Sequence, residues 1–270
     1  LMTRHHKSCH VSPKMSVQLW SVNDALQEDF EGTLTKLAQM GFDGVELAGR
    51  FGPFADDPCA LKRCLNNLGL EVSGAHVAIE TLDEENQEAT VRFYQQLGVD
   101  LLIIPYDERA WHPQQVNHFI DDLNRLSTQL ARHNMGIGFH NHDKEFGAYK
   151  NATYWDYIAE NTHQQVALQQ DVGWITYAGH NPTLYVNRYA DRLPSIHFKA
   201  CALENAAAHI PLIGQDSVDW APLIATTTSL ATVPWVVLEQ EVYPCGLTSM
   251  QAVSASKKGL DELLSQALAQ

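Results

Sequence analysis

Eight times along this chain a short run rich in β-branched and aliphatic residues gives way to a longer stretch with apolar residues at helical spacing. "SVQLW" (16–20) precedes "DFEGTLTKLAQM" (29–40), where Phe30, Leu34, Leu37 and Ala38 share one face. "GVEL" (44–47) leads to 58–68, "EVSGAHV" (71–77) to 86–97, "DLLIIP" (100–105) to 113–133, and "MGIGFH" (135–140) to 154–161. "VALQQD" (166–171) leads to 182–189, "SIHFK" (195–199) to 220–230, and "WVVLEQ" (235–240) to 250–268. Strands alternating with helices imply a parallel sheet covered by helices. Eight such units in 270 residues predict an α/β fold of one domain, a (β/α)8 TIM barrel. No Gly-rich dinucleotide fingerprint follows the first strand, which argues against a doubly wound sheet. Gly41, Gly69, Gly98 and Gly136 fall just past four of the helical stretches, as helix-terminating glycines do.

The barrel is expected to span 15–270, with 1–14 an extension outside it. That extension carries His5, His6, Cys9 and His10, and it has no apolar stretch of the kind a secretory signal needs. The five cysteines are an odd number without a C-x-x-C pair, as expected of reduced thiols in a cytoplasmic protein. No apolar run approaches the roughly 20 residues that cross a bilayer, so no membrane partner is expected. With 18 basic against 32 acidic residues and a formal charge of −14, nucleic acid is a poor partner. A small polar substrate fits better. Self-association is left open.

Active sites of such barrels form at the C-terminal ends of the strands. Strand 2 ends at Glu46, strand 3 at His76, and strand 5 at His140 and His142, with Glu145 just beyond. Strand 6 ends at Asp171, strand 7 at His197 and Lys199, and strand 8 at Glu239 and Glu241. Each has a plainer reading. Asp171 could cap the next helix, His197 could be a satisfied core histidine, and Lys199 could reach solvent. Convergence is the argument against the plainer readings. Carboxylates and imidazoles from four successive strands meet at one mouth if the barrel closes, and together they suit one divalent ion: Mn²⁺, Co²⁺, Zn²⁺ or Mg²⁺. No G-x-S-x-G elbow competes.

The segments "QLWSVND", "GFDGVELAG", "GFHNHDKEF", "QQDVGW", "IHFKA", "IGQDSVDW" and "VVLEQE" occur in that order. From about Val17 to Glu241 they resemble the xylose-isomerase-like TIM-barrel superfamily of sugar phosphate isomerases and epimerases, in the branch with an H-N-H-x-x-E-F motif. The resemblance implies a metal held by an acid, an Asp, a His and a second acid from strands 5 to 8. The last three map onto Asp171, His197 and Glu239. Glu145 is the favoured strand-5 ligand, with His140 or His142 as the alternative. Strand alternation puts His140 and His142 on one side, and Glu145 joins them only if the chain turns back after Asp143. Two positions depart from the pattern. Ala200 follows Lys199 where relatives often carry an acid, and Glu241 stands where they often carry Asp.

The implied activity is metal-assisted isomerisation or epimerisation of a sugar or keto-sugar through an enediolate. Glu239, Glu145, His140 or His142 would move the proton, and Lys199 is counted with the catalytic set. Glu46, His76 and Trp174 are expected to contact substrate, the last by packing on a sugar ring. The same chemistry with a leaving group at the β carbon gives a dehydratase or lyase. Two further alternatives are hydrolysis of abasic DNA, which needs a basic face, and a silent sugar-binding barrel. The segment 202–220 is expected to lie over the mouth and to govern substrate choice.

Overall fold

The computed structural model describes residues 12–230 and 232–270. The extension expected over 1–14 therefore lies mostly outside the described residues, as do its histidines and Cys9. Eight parallel strands close into a barrel: β1 (Lys14–Gln18), β2 (Gly44–Leu47), β3 (Glu71–His76), β4 (Leu101–Ile104), β5 (Gly136–His140), β6 (Ala167–Asp171), β7 (Ser195–Lys199) and β8 (Trp235–Glu239). The first strand thus begins one residue before the expected boundary. Each strand pairs with its sequence neighbours. β1 and β8 complete the ring, with Lys14 opposite Trp235 and Val17 opposite Leu238. No described helix is long and apolar enough to cross a membrane.

The strands divide their side chains between two cores. Outward residues pack under the helices: Phe139 meets Phe119 at 4.8 Å and Trp155 at 5.6 Å between ring centres, and Phe198 meets Trp220 at 5.0 Å. That packing is apolar and continuous, as a barrel clad in amphipathic helices requires. Toward the mouth the inward residues are polar. Gln18, Glu46, His76, Gln169, Ser195 and His197 are all buried. Register places them side by side: Gln18 is opposite Glu46, His140 opposite Gln169, and Asp171 opposite His197. The β2–β3 register shifts between Val45 and Glu46, which sets Glu46 opposite Gly74. A shift of this kind re-aims a side chain.

Helix endings follow the expected glycines at three of four places. Gly98, at φ +82°, ends the helix Gln87–Leu97. Gly136 does not end a helix; it is the first residue of β5. The left-handed residue after helix Val116–Ala131 is Asn134, at φ +56°, one of the few side chains that tolerate that region.

One close approach fixes the helix after β6 against β7. A Cβ on Gly173 would lie 2.5 Å from the carbonyl oxygen of Lys199. Gly173→Ala should lower unfolding stability by about 1–3 kcal/mol, read as a reduced melting midpoint by calorimetry. An unchanged midpoint contradicts this packing.

Candidate active site and metal centre

The H-N-H-x-x-E-F segment turns a strand end into a scaffold. His140 ends β5 pointing inward. Asn141 reaches sideways: its Oδ1 accepts from the Asp171 backbone N at 2.8 Å, and its Nδ2 donates to the His142 carbonyl at 2.9 Å. This side chain ties the end of β5 to the end of β6. The chain then turns through Lys144–Phe146. Phe146 anchors the turn against Tyr185, with ring centres 4.9 Å apart. Glu145 folds back so that its Oε2 accepts from the His142 backbone N at 2.9 Å.

Ligand atoms of His140, Asp171, His197 and Glu239 all lie within 4.8 Å of one another, and all four residues are buried. Glu145 is not part of this cluster. Of the strand-5 candidates, Glu145 first and His140 or His142 as the alternative, the structure brings His140 into the cluster and leaves Glu145 outside it, with Oε2 bonded to the turn that carries His142. Asp171 caps the next helix and also faces the cluster. Its Oδ1 caps the next helix by accepting from Trp174 N at 3.0 Å, while its Oδ2 faces His140 Nε2 at 3.2 Å. His140 Nδ1 is buried without a hydrogen-bond partner. Two carboxylates and two imidazoles with an orphaned ring nitrogen form a donor set suited to one divalent ion.

Beneath the cluster lies Glu46, fully buried. Its carboxylate accepts from three side chains, Gln18 Nε2 at 2.7 Å, Gln169 Nε2 at 2.7 Å and His197 Nε2 at 2.6 Å, and His76 Nε2, bonded to Gln169 Oε1 at 2.7 Å, lies 2.9 Å from it. With Nε2 held by Glu46, His197 presents Nδ1 to Glu239 at 2.8 Å and to Asp171 at 3.8 Å. A carboxylate behind an imidazole fixes the ring and its tautomer and strengthens the opposite nitrogen as a donor. Glu46 was expected to touch substrate; it lies under the floor instead. Gln18, Gln169 and Ser195 complete this network, with Gln169 Nε2 also donating to Ser195 Oγ at 2.7 Å. Sequence reading passed over these three. The two-residue alternation that pairs Gln169 with Asp171 and Ser195 with His197 is the signal that points to them.

The electrostatics follow from burial and neighbours. Burial pushes the Glu46 carboxyl up, but His76 and His197 outweigh it and hold it well below the usual range. Burial pushes His197 down, and Glu46 and Glu239 more than reverse this, bringing it to about 10. Burial takes His140 down to about 3, with His197 adding to the effect. Burial and then the Lys199 charge lower His142. Lys199 is buried among Asp171 at 3.5 Å, Glu239 at 3.4 Å and Glu241 at 2.8 Å. Burial opposes its charge, and these acids, Asp171 first, raise it overall. Glu241 is pushed up by burial and by Glu239.

A cavity of about 680 Å³ opens above the cluster, lined by His76, His140, His142, Glu239 and Glu241 among others. Trp174 is not in its wall. It packs beside His142, with ring centres 5.6 Å apart, under the Lys199 ammonium at 5.1 Å. Nor does the segment 202–220 line it; the loops after β2, β3 and β4 do. The "IGQDSVDW" motif has a structural role. Buried Asp216 accepts from Cys201 N at 2.9 Å and Trp220 Nε1 at 2.7 Å, fastening the segment after β7 to the next helix.

Residues 34–265 match the xylose isomerase-like TIM barrel family, and the chain belongs to it. Among curated relatives, the inosose dehydratase of Lacticaseibacillus casei is 22% identical over 272 residues, covering 86% of this chain and 89% of that protein. A sugar phosphate isomerase/epimerase from Parabacteroides distasonis superposes with a TM-score of 0.77 at 20% identity, over 96% of each chain. An IolI protein with a bound zinc atom superposes at 0.72 and 13% identity, over 95% of this chain and 100% of that one.

Burial raises the Glu145 carboxyl from 4.5 to about 8, and its Oε1 has no partner. Between those values the folded protein holds a proton that the unfolded chain has released. Glu145 therefore lowers stability progressively as pH rises through that window, and the cost is complete above about 8. Glu145→Gln keeps the shape and removes the titration. Its stability relative to the parent should rise by on the order of a few kcal/mol between about pH 5 and pH 9 in urea titrations. A difference independent of pH contradicts a buried, titrating Glu145.

Proposed function

We propose that this protein is a divalent-metal-dependent dehydratase of a small, unphosphorylated keto-cyclitol or keto-sugar. The observation that carries this reading is the buried His140–Asp171–His197–Glu239 cluster opening onto a cavity in which His142 and Glu241 stand free of it. The name shared by relatives matching over most of this chain, inosose dehydratase, favours dehydration over the isomerisation or epimerisation that the sequence alone put first.

His140, Asp171, His197 and Glu239 would hold the ion. When bound, it supplies Lewis-acid polarisation of a substrate carbonyl and stabilises the negative charge left as the neighbouring proton departs. Glu46 fixes His197. Lys199 offsets the charge of Asp171, Glu239 and Glu241 from within the protein. His142 lines the cavity beside the cluster, and its imidazole is the base for the α proton. Glu241 also lines the cavity, and its carboxyl, raised by burial and by Glu239, is the acid that delivers a proton to the departing β-hydroxyl. The C–H pair becomes the new double bond, the C–O bond breaks, and water leaves.

His140→Ala should release metal from protein purified without chelator, measured by elemental analysis. Glu145→Gln should retain it. His142→Ala should also retain metal while losing about 10²–10⁴-fold in the rate of inosose dehydration, followed by absorbance of the unsaturated product. Metal lost on Glu145→Gln and kept on His140→Ala would reverse the ligand assignment. The epimerase reading is supported by the fold neighbours and by the imidazole flanking the cluster. Solvent deuterium entering the α carbon of a keto-sugar, with no loss of water, would favour it.

A further inference from the structure

The catalytic cluster occupies one side of the mouth, over β5 to β8. The cavity does not stop there. It continues across β1 to β4, where Trp20, Phe51, Val77, Phe93, Tyr94 and Tyr106 line it. Its volume of about 680 Å³ lies in the upper part of the range of about 300–1,000 Å³ typical of drug-sized ligands, more than one sugar ring needs.

The chemistry of this arm is selective. Phe51 and Phe93 pack with ring centres 4.6 Å apart, and Ala48, Ala78 and Ala89 add methyl surface. Its two threonine hydroxyls are already committed: Thr81 Oγ1 donates to Ala78 O at 2.6 Å, and Thr90 Oγ1 donates to Thr81 O at 2.7 Å. Beside them stand only two phenols, Tyr94 and the half-exposed Tyr106, and the indole N–H of Trp20. A second sugar ring would bring several hydroxyls into a space with few partners, each costing free energy if left unpaired. An apolar ring meets only favourable surface. Among the described residues no Lys or Arg is in the cavity wall, Arg50 being stacked on Trp20 at 5.3 Å, while Glu239 and Glu241 line it and repel a phosphate. Trp20 and Tyr106 line the arm while 44% and 54% exposed, which places them at its edge, where a ring could enter between them.

We infer that the substrate is a keto-sugar or keto-cyclitol carrying an apolar aryl substituent, whose polar ring sits at the metal cluster and whose aryl group fills the arm over β1 to β4. This rests on the proposed function for the identity of the polar ring, and on the arm alone for the substituent.

Metal-loaded protein is titrated calorimetrically with phenyl β-D-glucopyranoside, methyl β-D-glucopyranoside, cellobiose and glucose 6-phosphate. The phenyl glucoside should bind at least about tenfold more tightly than the methyl glucoside, as burial of an aromatic ring dictates. Cellobiose and glucose 6-phosphate should bind more weakly than the phenyl glucoside. Ala89→Trp, on an exposed position of helix Gln87–Leu97, fills the arm without touching the core and should bring the phenyl-to-methyl ratio close to one. Equal affinities for the two glucosides, tighter binding of cellobiose, no saturable binding of the phenyl glucoside, or a ratio unmoved by Ala89→Trp each overturns the inference. Inosose dehydration on the same preparation separates the two readings. Aryl preference without dehydration keeps the arm and removes the reaction. Dehydration without aryl preference keeps the reaction and removes the arm.

Discussion

The hydrogen bond from His197 to Glu46 is the contact on which the rest of the site depends. A carboxylate sealed inside a barrel is costly unless its lone pairs are filled, and Glu46 accepts from two amides and the His197 imidazole, with His76 close beside it. In return it fixes which nitrogen of His197 faces the mouth. That choice aligns His197 with Asp171, Glu239 and, across β5, His140. The β2–β3 register shift just before Glu46 belongs to the same device, since it sets the residue that anchors the floor.

The barrel is functionally lopsided. β5 to β8 end in titratable groups, and their close spacing leaves little room. The loops after β1 to β4 carry small and aromatic residues such as Trp20, Ala48, Phe51, Ala78 and Tyr106, which leave space. The proposed reaction and the proposed substituent pocket thus fall on opposite halves of one mouth, so a substituent could change without disturbing the His140–Asp171–His197–Glu239 cluster. The same lopsidedness accounts for Lys199. Three acids crowd β6 to β8, and a buried ammonium among them keeps the cluster from repelling itself apart.

The architecture was legible because periodicity encodes it. All eight expected strands match the observed ones within two residues at either end, since apolar runs and helical spacing are local properties. Gly136 was misread because a glycine after a helix looks the same whether it turns the chain or opens a strand; Asn134 made the turn. The cluster was half legible. Asp171, His197 and Glu239 end their strands, and strand ends can be read. Glu145 misled because sequence shows that a carboxylate is near but not which way a turn folds it. Glu46 and Trp174 misled for a related reason, since a residue just below a cavity wall and one in it have the same neighbours in sequence. The aromatic arm was not legible at all. Its walls come from segments after four different strands and from one helix, and only closure of the barrel brings them together.

The central claim is that a single divalent ion is held by His140, Asp171, His197 and Glu239 above Glu46. Anomalous diffraction from crystals grown with Mn²⁺ tests it most directly. The account predicts one strong peak within bonding distance of those four side chains, with His197 bonded through Nδ1 and its Nε2 still donating to Glu46. A peak bonded to Glu145, or one seated between Glu46 and His76 on the far side of His197, would contradict it.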